Sequence, residues 1–338
     1  MSLFRFPLPL ILLAACEVGS ATLGDDPLAS HAADAPVESL RFTVDSTSRA
    51  ELETIEARVL DADEDGYDDV LFTNQLSATV TLLWGRAGGV GPEETTVSMG
   101  RAGSEADVGD IDGDGTLDLI ASNQDHGRYS IAWGTGDRAF GNTTVVNQGG
   151  FPRGVTLADA DRDGDLDLVS VLEHAGCTVL RLNDGNGSFA PGGCWVSATN
   201  AWRAADLDGD GHDELVESRT GDVYSSAKGT FARTESLRLR ASGSTGRIHP
   251  YDVDDDGDMD LVVAGAEAST LTTFQNDGTG DFREWERSVV LSYGPNAVGD
   301  LDQDGDLDYV SVETFSYCDS TWHFGWGAQI SPREESKE

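Results

Sequence analysis

Six times along the chain the same nine-residue pattern returns, D-x-D-x-D-G-x-x-D. The first copy supplies Asp61, Asp63, Asp65 and Asp69, the second Asp110, Asp112, Asp114 and Asp118, the third Asp159, Asp161, Asp163 and Asp167. The fourth supplies Asp206, Asp208, Asp210 and Glu214, the fifth Asp252, Asp254, Asp256 and Asp260, the sixth Asp300, Asp302, Asp304 and Asp308. Carboxylates at positions 1, 3 and 5 fold around one hard cation, glycine at position 6 permits the sharp turn, and the carbonyl of position 7 adds an oxygen. So many carboxylates in one turn repel each other strongly without a counter-ion. The pattern therefore predicts bound calcium, up to six ions, in a structural role.

An EF-hand is the natural competitor, and it requires a bidentate Glu at position 12. The residues there are Phe72, Ala121, Ser170, Glu217, Val263 and Ser311, so only the fourth copy complies. Position 9 is expected to close the site instead. The segments that follow, such as DVLFTN, LDLIAS and LDLVSV, are short, β-branched runs rather than amphipathic helices. Each acidic loop is thus expected to join two strands.

The copies begin 49, 49, 47, 46 and 48 residues apart, in the range of propeller blades. The second repeat reads as four strands, roughly 105–109, 117–122, 129–133 and 143–147, separated by the acidic loop and Gly/Asp turns. Six repeats of this kind predict an all-β, six-bladed β-propeller of four-stranded blades, each with its calcium loop between first and second strands. After the sixth loop only two strands follow, near 307–313 and 322–326, before the charged tail 329–338. A spare strand upstream of the first loop, LRFTVD at 40–45, is expected to complete that blade and close the ring. A degenerate seventh blade is the alternative.

On these residues the chain resembles FG-GAP/VCBS repeats, the calcium-bearing blades of integrin-α-like propellers. The turns Asn183-Asp184-Gly185-Asn186-Gly187 and Asn276-Asp277-Gly278-Thr279-Gly280 are similar to the second signature of VCBS blades. The resemblance covers about residues 38–328 and implies fold and metal. It says little about activity.

Ahead of the repeats, residues 1–15 (MSLFRFPLPLILLAA) read as a signal peptide, too short to span a bilayer. The segment Leu13-Ala14-Ala15-Cys16 resembles a bacterial lipoprotein signal, which makes Cys16 the lipidation site and 16–37 a flexible tether. Glu17 after that cysteine resembles an outer-membrane sorting pattern. The expected location is thus secreted and lipid-anchored, at the outer membrane or surface of a bacterium. An oxidising compartment allows one disulfide, Cys177–Cys194, placed symmetrically about the 183–187 turn. Cys318 is left over and reads as an idle thiol.

Composition narrows the partners. The 338 residues carry 61 acidic against 22 basic side chains, a net charge of −39. Such a chain repels nucleic acid, and it meets a membrane only through its lipid. Two function classes remain: a monomeric binding or scaffold module for a glycan or protein at the cell surface, or an enzyme, since similar repeats occur in polysaccharide lyases and related dehydratases. His126, His174 and His323 fall on one expected face, yet no catalytic motif accompanies them, and the binding module is preferred. Its ligand face is expected on the rim opposite the calcium loops, where Trp202 and Tyr317 stand among aromatic residues and arginines.

Overall fold

A computed structural model of the chain describes residues 43–46, 54–100, 103–123, 127–173, 175–196, 202–218, 221–226, 231–236, 247–254, 256–264, 270–289, 296–303, 305, 307–313 and 321–328. The signal segment, Cys16 and the tether, and also His126, His174, Tyr317 and Cys318, lie outside them. Every described element is a strand, and no described helix is long and apolar enough to cross a membrane.

The strands in chain order are β1 (Thr43–Ser46), β2 (Thr54–Leu60), β3 (Asp69–Asn74), β4 (Thr79–Leu83), β5 (Glu94–Ser98), β6 (Gly103–Gly109), β7 (Asp118–Asn123), β8 (Arg128–Gly136) and β9 (Ala139–Asn147). They continue with β10 (Pro152–Ala158), β11 (Asp167–Leu172), β12 (Cys177–Leu182), β13 (Ala190–Val196), β14 (Trp202–Ala205), β15 (Glu214–Glu217), β16 (Asp222–Ser226) and β17 (Phe231–Ser236). The last are β18 (Arg247–Tyr251), β19 (Asp260–Ala264), β20 (Thr270–Asn276), β21 (Phe282–Val289), β22 (Asn296–Gly299), β23 (Leu307–Glu313) and β24 (Thr321–Ala328).

Five four-stranded antiparallel sheets are drawn from consecutive strands: β2–β5, β6–β9, β10–β13, β14–β17 and β18–β21. We number these blades 1 to 5. A further four-stranded sheet is composite, in the order β1-β24-β23-β22. In it β1 pairs antiparallel with β24, Thr43 opposite Trp326 and Val44 opposite Gly325. The N-terminal strand therefore supplies the outer edge of the last sheet. Among the described residues no strand belongs to a seventh sheet.

The first strands of the sheets touch in cyclic order, β2, β6, β10, β14, β18, β22 and back to β2, which makes the assembly a β-propeller. The second strand of each blade is buried along its whole described length, as in DVLFTN and DLVSVL. Burial on both faces follows from stacking, because alternate side chains face opposite neighbours. Val70 and Phe72 pack with Ala297 and Val310 of the composite sheet, while Leu71 packs with Leu119 and Ala121 of blade 2. Ile120 then faces blade 3 through Val155 and Leu168. Fourth strands lie outermost and are correspondingly polar, β9 being exposed or half-buried throughout.

Cys177 and Cys194 are joined by a disulfide across β12 and β13. The symmetric spacing about the turn suggested that they stand directly opposite. Instead Cys177 pairs with Val196 and Cys194 with Val179: Leu182 stands opposite Ala190 at the turn, already one residue out, and the register shifts by one more between Leu180 and Arg181. The sulfurs meet along the diagonal, across a Cα separation of 6.0 Å.

Candidate metal centre

Each acidic loop leaves the end of a first strand and enters the second, so all six stand on one rim of the ring. The turn is shaped by its own first aspartate. Asp61 accepts from the backbone N–H of Asp65 through Oδ1 (3.1 Å) and of Gly66 through Oδ2 (2.9 Å). Asp110, Asp159, Asp206 and Asp252 repeat the contact to their position-6 glycines at 2.8–3.0 Å. Those glycines need the left-handed region: φ is +88° at Gly66 and +95° at Gly164. Position 4 is left-handed as well, at Glu64, Arg162 and Gln303 and at the glycines 113 and 209. The sequence pattern gave no sign of that second constraint, because position 4 is chemically variable.

Position 9 was expected only to close the site. It does more. Asp69, fully buried, accepts from Ala62 N–H through Oδ2 (2.9 Å) and from Gly85 N–H through Oδ1 (2.6 Å). Asp118 does the same with Ile111 and Gly134, Asp167 with Ala160 and Asn183, and Asp260 with Val253 and Asn276. The residue thus pins its own loop to the hairpin that follows the third strand. Burial pushes these carboxyls up, Asp69 and Asp260 to about 6 and Asp167 to about 7, against the lowering effect of the same backbone N–H groups.

Do the residues fit a hard cation? Carboxylate oxygens of Asp61, Asp63 and Asp69 all lie within 4.8 Å of one another, as do those of Asp110, Asp112 and Asp118. The trios Asp159/Asp161/Asp167, Asp206/Asp208/Asp210 and Asp252/Asp254/Asp260 gather equally closely. Asp304 of the sixth loop lies outside the described residues. Position 3 carries the most telling atom. Oδ1 of Asp63, of Asp161 and of Asp254 is buried with no hydrogen-bond partner, at the same place in three loops. Buried polar oxygens ordinarily find a partner, and an all-oxygen donor set of this density suits calcium.

The FG-GAP-like repeat profile matches residues 61–121, 110–170 and 252–311, together just over half of the chain. The chain belongs to the FG-GAP-like repeat family. No curated protein matches at a significant level. Among solved structures, a proposed 6-phosphogluconolactonase from Bacteroides uniformis is similar at 10% identity and a TM-score of 0.51, over 75% of this chain and 76% of that one. An Agrocybe aegerita lectin that recognises non-reducing terminal N-acetylglucosamine is 20% identical, with a TM-score of 0.48 over 80% of this chain and 75% of that one. Virginiamycin B lyase from Staphylococcus aureus is 11% identical, with a TM-score of 0.49 over 82% and 88%. At these identities the likeness to the first speaks for the propeller fold alone.

This FG-GAP-like propeller also contains a charged hub that the repeat pattern does not announce. Glu56 on β2, fully buried, accepts from Arg203 Nη2 on β14 (2.9 Å), Ala106 N–H on β6 (3.0 Å) and Thr73 Oγ1 (3.2 Å). Arg247 Nη1 on β18 stands 3.6 Å away. Arg58 pairs with Asp107, which in turn accepts from Leu157 N–H on β10 at 2.9 Å. Five blades are thereby stitched across the axis. The only sequence signal was charge at alternating positions of first strands (Glu56/Arg58 and Glu105/Asp107) where apolar residues are the norm.

The opposite rim requires a correction. Trp202 does not present its ring to a ligand. It is 2% exposed, donates from Nε1 to Thr178 Oγ1 (3.1 Å), and meets Tyr224 edge-on at 5.3 Å within the core between blades 3 and 4. A tryptophan at the start of a first strand lies where two blades converge, and burial there outweighs display. Its neighbour Arg203 belongs to the hub. Of the aromatic groups on that rim, Phe151 is exposed (38%), beside the surface ion pair Arg153–Glu173 (2.8 Å).

Proposed function

We propose that this protein is a calcium-stabilised propeller that acts as a binding or scaffold module for a glycan or a protein at a bacterial cell surface, tethered there by a lipid on Cys16. The observation that carries the metal reading is the unpartnered, buried Oδ1 at position 3 of three loops, set among carboxylates within 4.8 Å. The ions hold the loops, and with them the rim, rather than performing chemistry. Recognition falls to the opposite rim, where Phe151 and the Arg153–Glu173 pair lie at the surface and Tyr317 is the sequence-derived candidate.

A thermal melt tests the metal reading. A site filled at a hundred times its dissociation constant adds about 2.7 kcal/mol of stability. EDTA is expected to lower the melting temperature and excess calcium to restore it. An identical melt in both would refute the metal reading. For the anchor, Cys16→Ser is expected to shift the protein from the membrane to the soluble fraction or to leave it unprocessed. Normal processing and retention on the membrane would refute the lipid assignment.

A further inference from the structure

The six acidic loops are not equivalent, because one already holds a cation. Arg138 sits at the tip of the β8–β9 hairpin of blade 2 and reaches across to loop 1 of blade 1. Its Nε pairs with Asp63 Oδ2, and its Nη2 donates to Asp65 Oδ2 at 2.7 Å. These are positions 3 and 5 of the loop. Nη1 lies 3.7 Å from Glu93, and the guanidinium carbon stands 4.9 Å from the centre of the Trp84 ring.

The hairpin tip is fixed independently. Asp137 and Arg138 are the two central residues of a tight turn, with φ of +52° and +60°, and Gly136 pairs with Ala139. The carbonyl of Arg138 accepts from Thr95 Oγ1 (2.9 Å), which also accepts from Trp84 Nε1 (3.0 Å). Arg162 reaches Asp210 of loop 4 at 3.1 Å, in a more exposed setting. Asp254 in loop 5 is met by the neutral amide of Gln275.

Resting on the calcium reading above, we propose that Arg138 acts as a built-in counter-ion that makes loop 1 the weakest calcium site of the ring. The guanidinium takes the outer oxygens of Asp63 and Asp65 and leaves Asp63 Oδ1 facing inward, so the loop keeps a binding face while losing net negative charge. A fixed positive charge roughly 5 Å from a dication costs affinity even at the dielectric constant of water, on the order of tenfold. Trp84, Arg138 and loop 1 line one cavity of about 520 Å³ together with Asp110, Gly115 and Thr116 of loop 2, which makes Trp84 a reporter for these two loops.

Terbium titration of the full-length protein, followed by tryptophan-sensitised luminescence and by calcium competition, tests this. The component lost both in Trp84→Phe and in Asp61→Asn is loop 1. It is expected to bind roughly tenfold more weakly than the remaining sites, and Arg138→Gln is expected to bring it level with them. Arg138→Lys retains the charge and should leave loop 1 weak, and Arg162→Gln should leave it unchanged. If the Trp84-linked component matches the others in the wild type, or weakens in Arg138→Gln, the counter-ion role is wrong while the calcium reading stands. If no loop takes terbium or calcium, the calcium reading falls and this inference with it.

Discussion

At the residue scale the hub sets the electrostatic problem. Arg58, Arg203 and Arg247 face Glu56, Glu105 and Asp107, nearly all out of water. Removing one member of such a set leaves an uncompensated buried charge, worth about 3–5 kcal/mol. Glu56→Ala is accordingly expected to lower the melting temperature far more than Glu173→Ala at the surface pair, and equal effects would contradict the hub's role. Glu105 behaves differently. Burial and the neighbouring Glu56 push its carboxyl up to about 8, and Arg203, Arg247 and Arg58 only partly offset this. A carboxyl raised on folding contributes stability that is present below its ordinary value of 4.5 and is lost as pH rises through about 8. The calcium-loaded wild type should therefore lose stability between about pH 4.5 and 8 relative to Glu105→Gln, whose amide does not ionise. Melting curves of the two proteins that stay parallel over that range would show that Glu105 is not held protonated.

At the scale of elements, the acidic loop was legible in the sequence because its chemistry is local. The spacing of Asp61, Asp63 and Asp65 and the glycine at 66 state both the turn and the donors. The hub was not legible, because Glu56 and Arg203 lie 147 residues apart and nothing in either repeat indicates that their strands meet on one axis. The hairpin that follows each third strand falls between these cases. The Asn183 turn was recognisable as a turn, but its partner was not. Asn183 donates from Nδ2 to the carbonyls of Ile111 (2.7 Å) and Leu166 (3.1 Å), so blade 3 caps the acidic loop of blade 2. Asn276 repeats this on Leu207 and Met259, joining blade 5 to the loop of blade 4. Asn183→Ala leaves two buried carbonyls without that donor, at about 1–3 kcal/mol. The variant is expected to melt several degrees lower and to bind calcium more weakly at one site, as calorimetric titration would show. Wild-type values on both counts would mean that the cap is incidental.

At the scale of the molecule, a net charge of −39 and a ring topology have to be reconciled. About half of the acids sit in the six loops on one rim, where on the calcium reading dications would compensate them, and the hub sets Arg58, Arg203 and Arg247 against its own carboxyls. What remains is closure. The composite sheet is held at its outer edge by β1, which pairs with β24 through Thr43, Val44 and Ser46. Without it β24 becomes an open edge, the usual template for pairing with another chain. Two versions of the protein separate this role from that of the leader: one begun at residue 39, the other at residue 54. The first is expected to melt like the mature protein in saturating calcium. The second loses the backbone bonds of β1, each worth about 0.5–1.5 kcal/mol. It should melt roughly 4–10 °C lower on the usual scaling for a domain of this size, and should self-associate in sedimentation. A peptide spanning residues 39–50, added in excess, is expected to restore the monomer by occupying the vacated edge. If the shorter protein is as stable and as monomeric as the longer one, the ring is held by the packing between blades alone, and β1 is an ornament of the last sheet rather than its clasp.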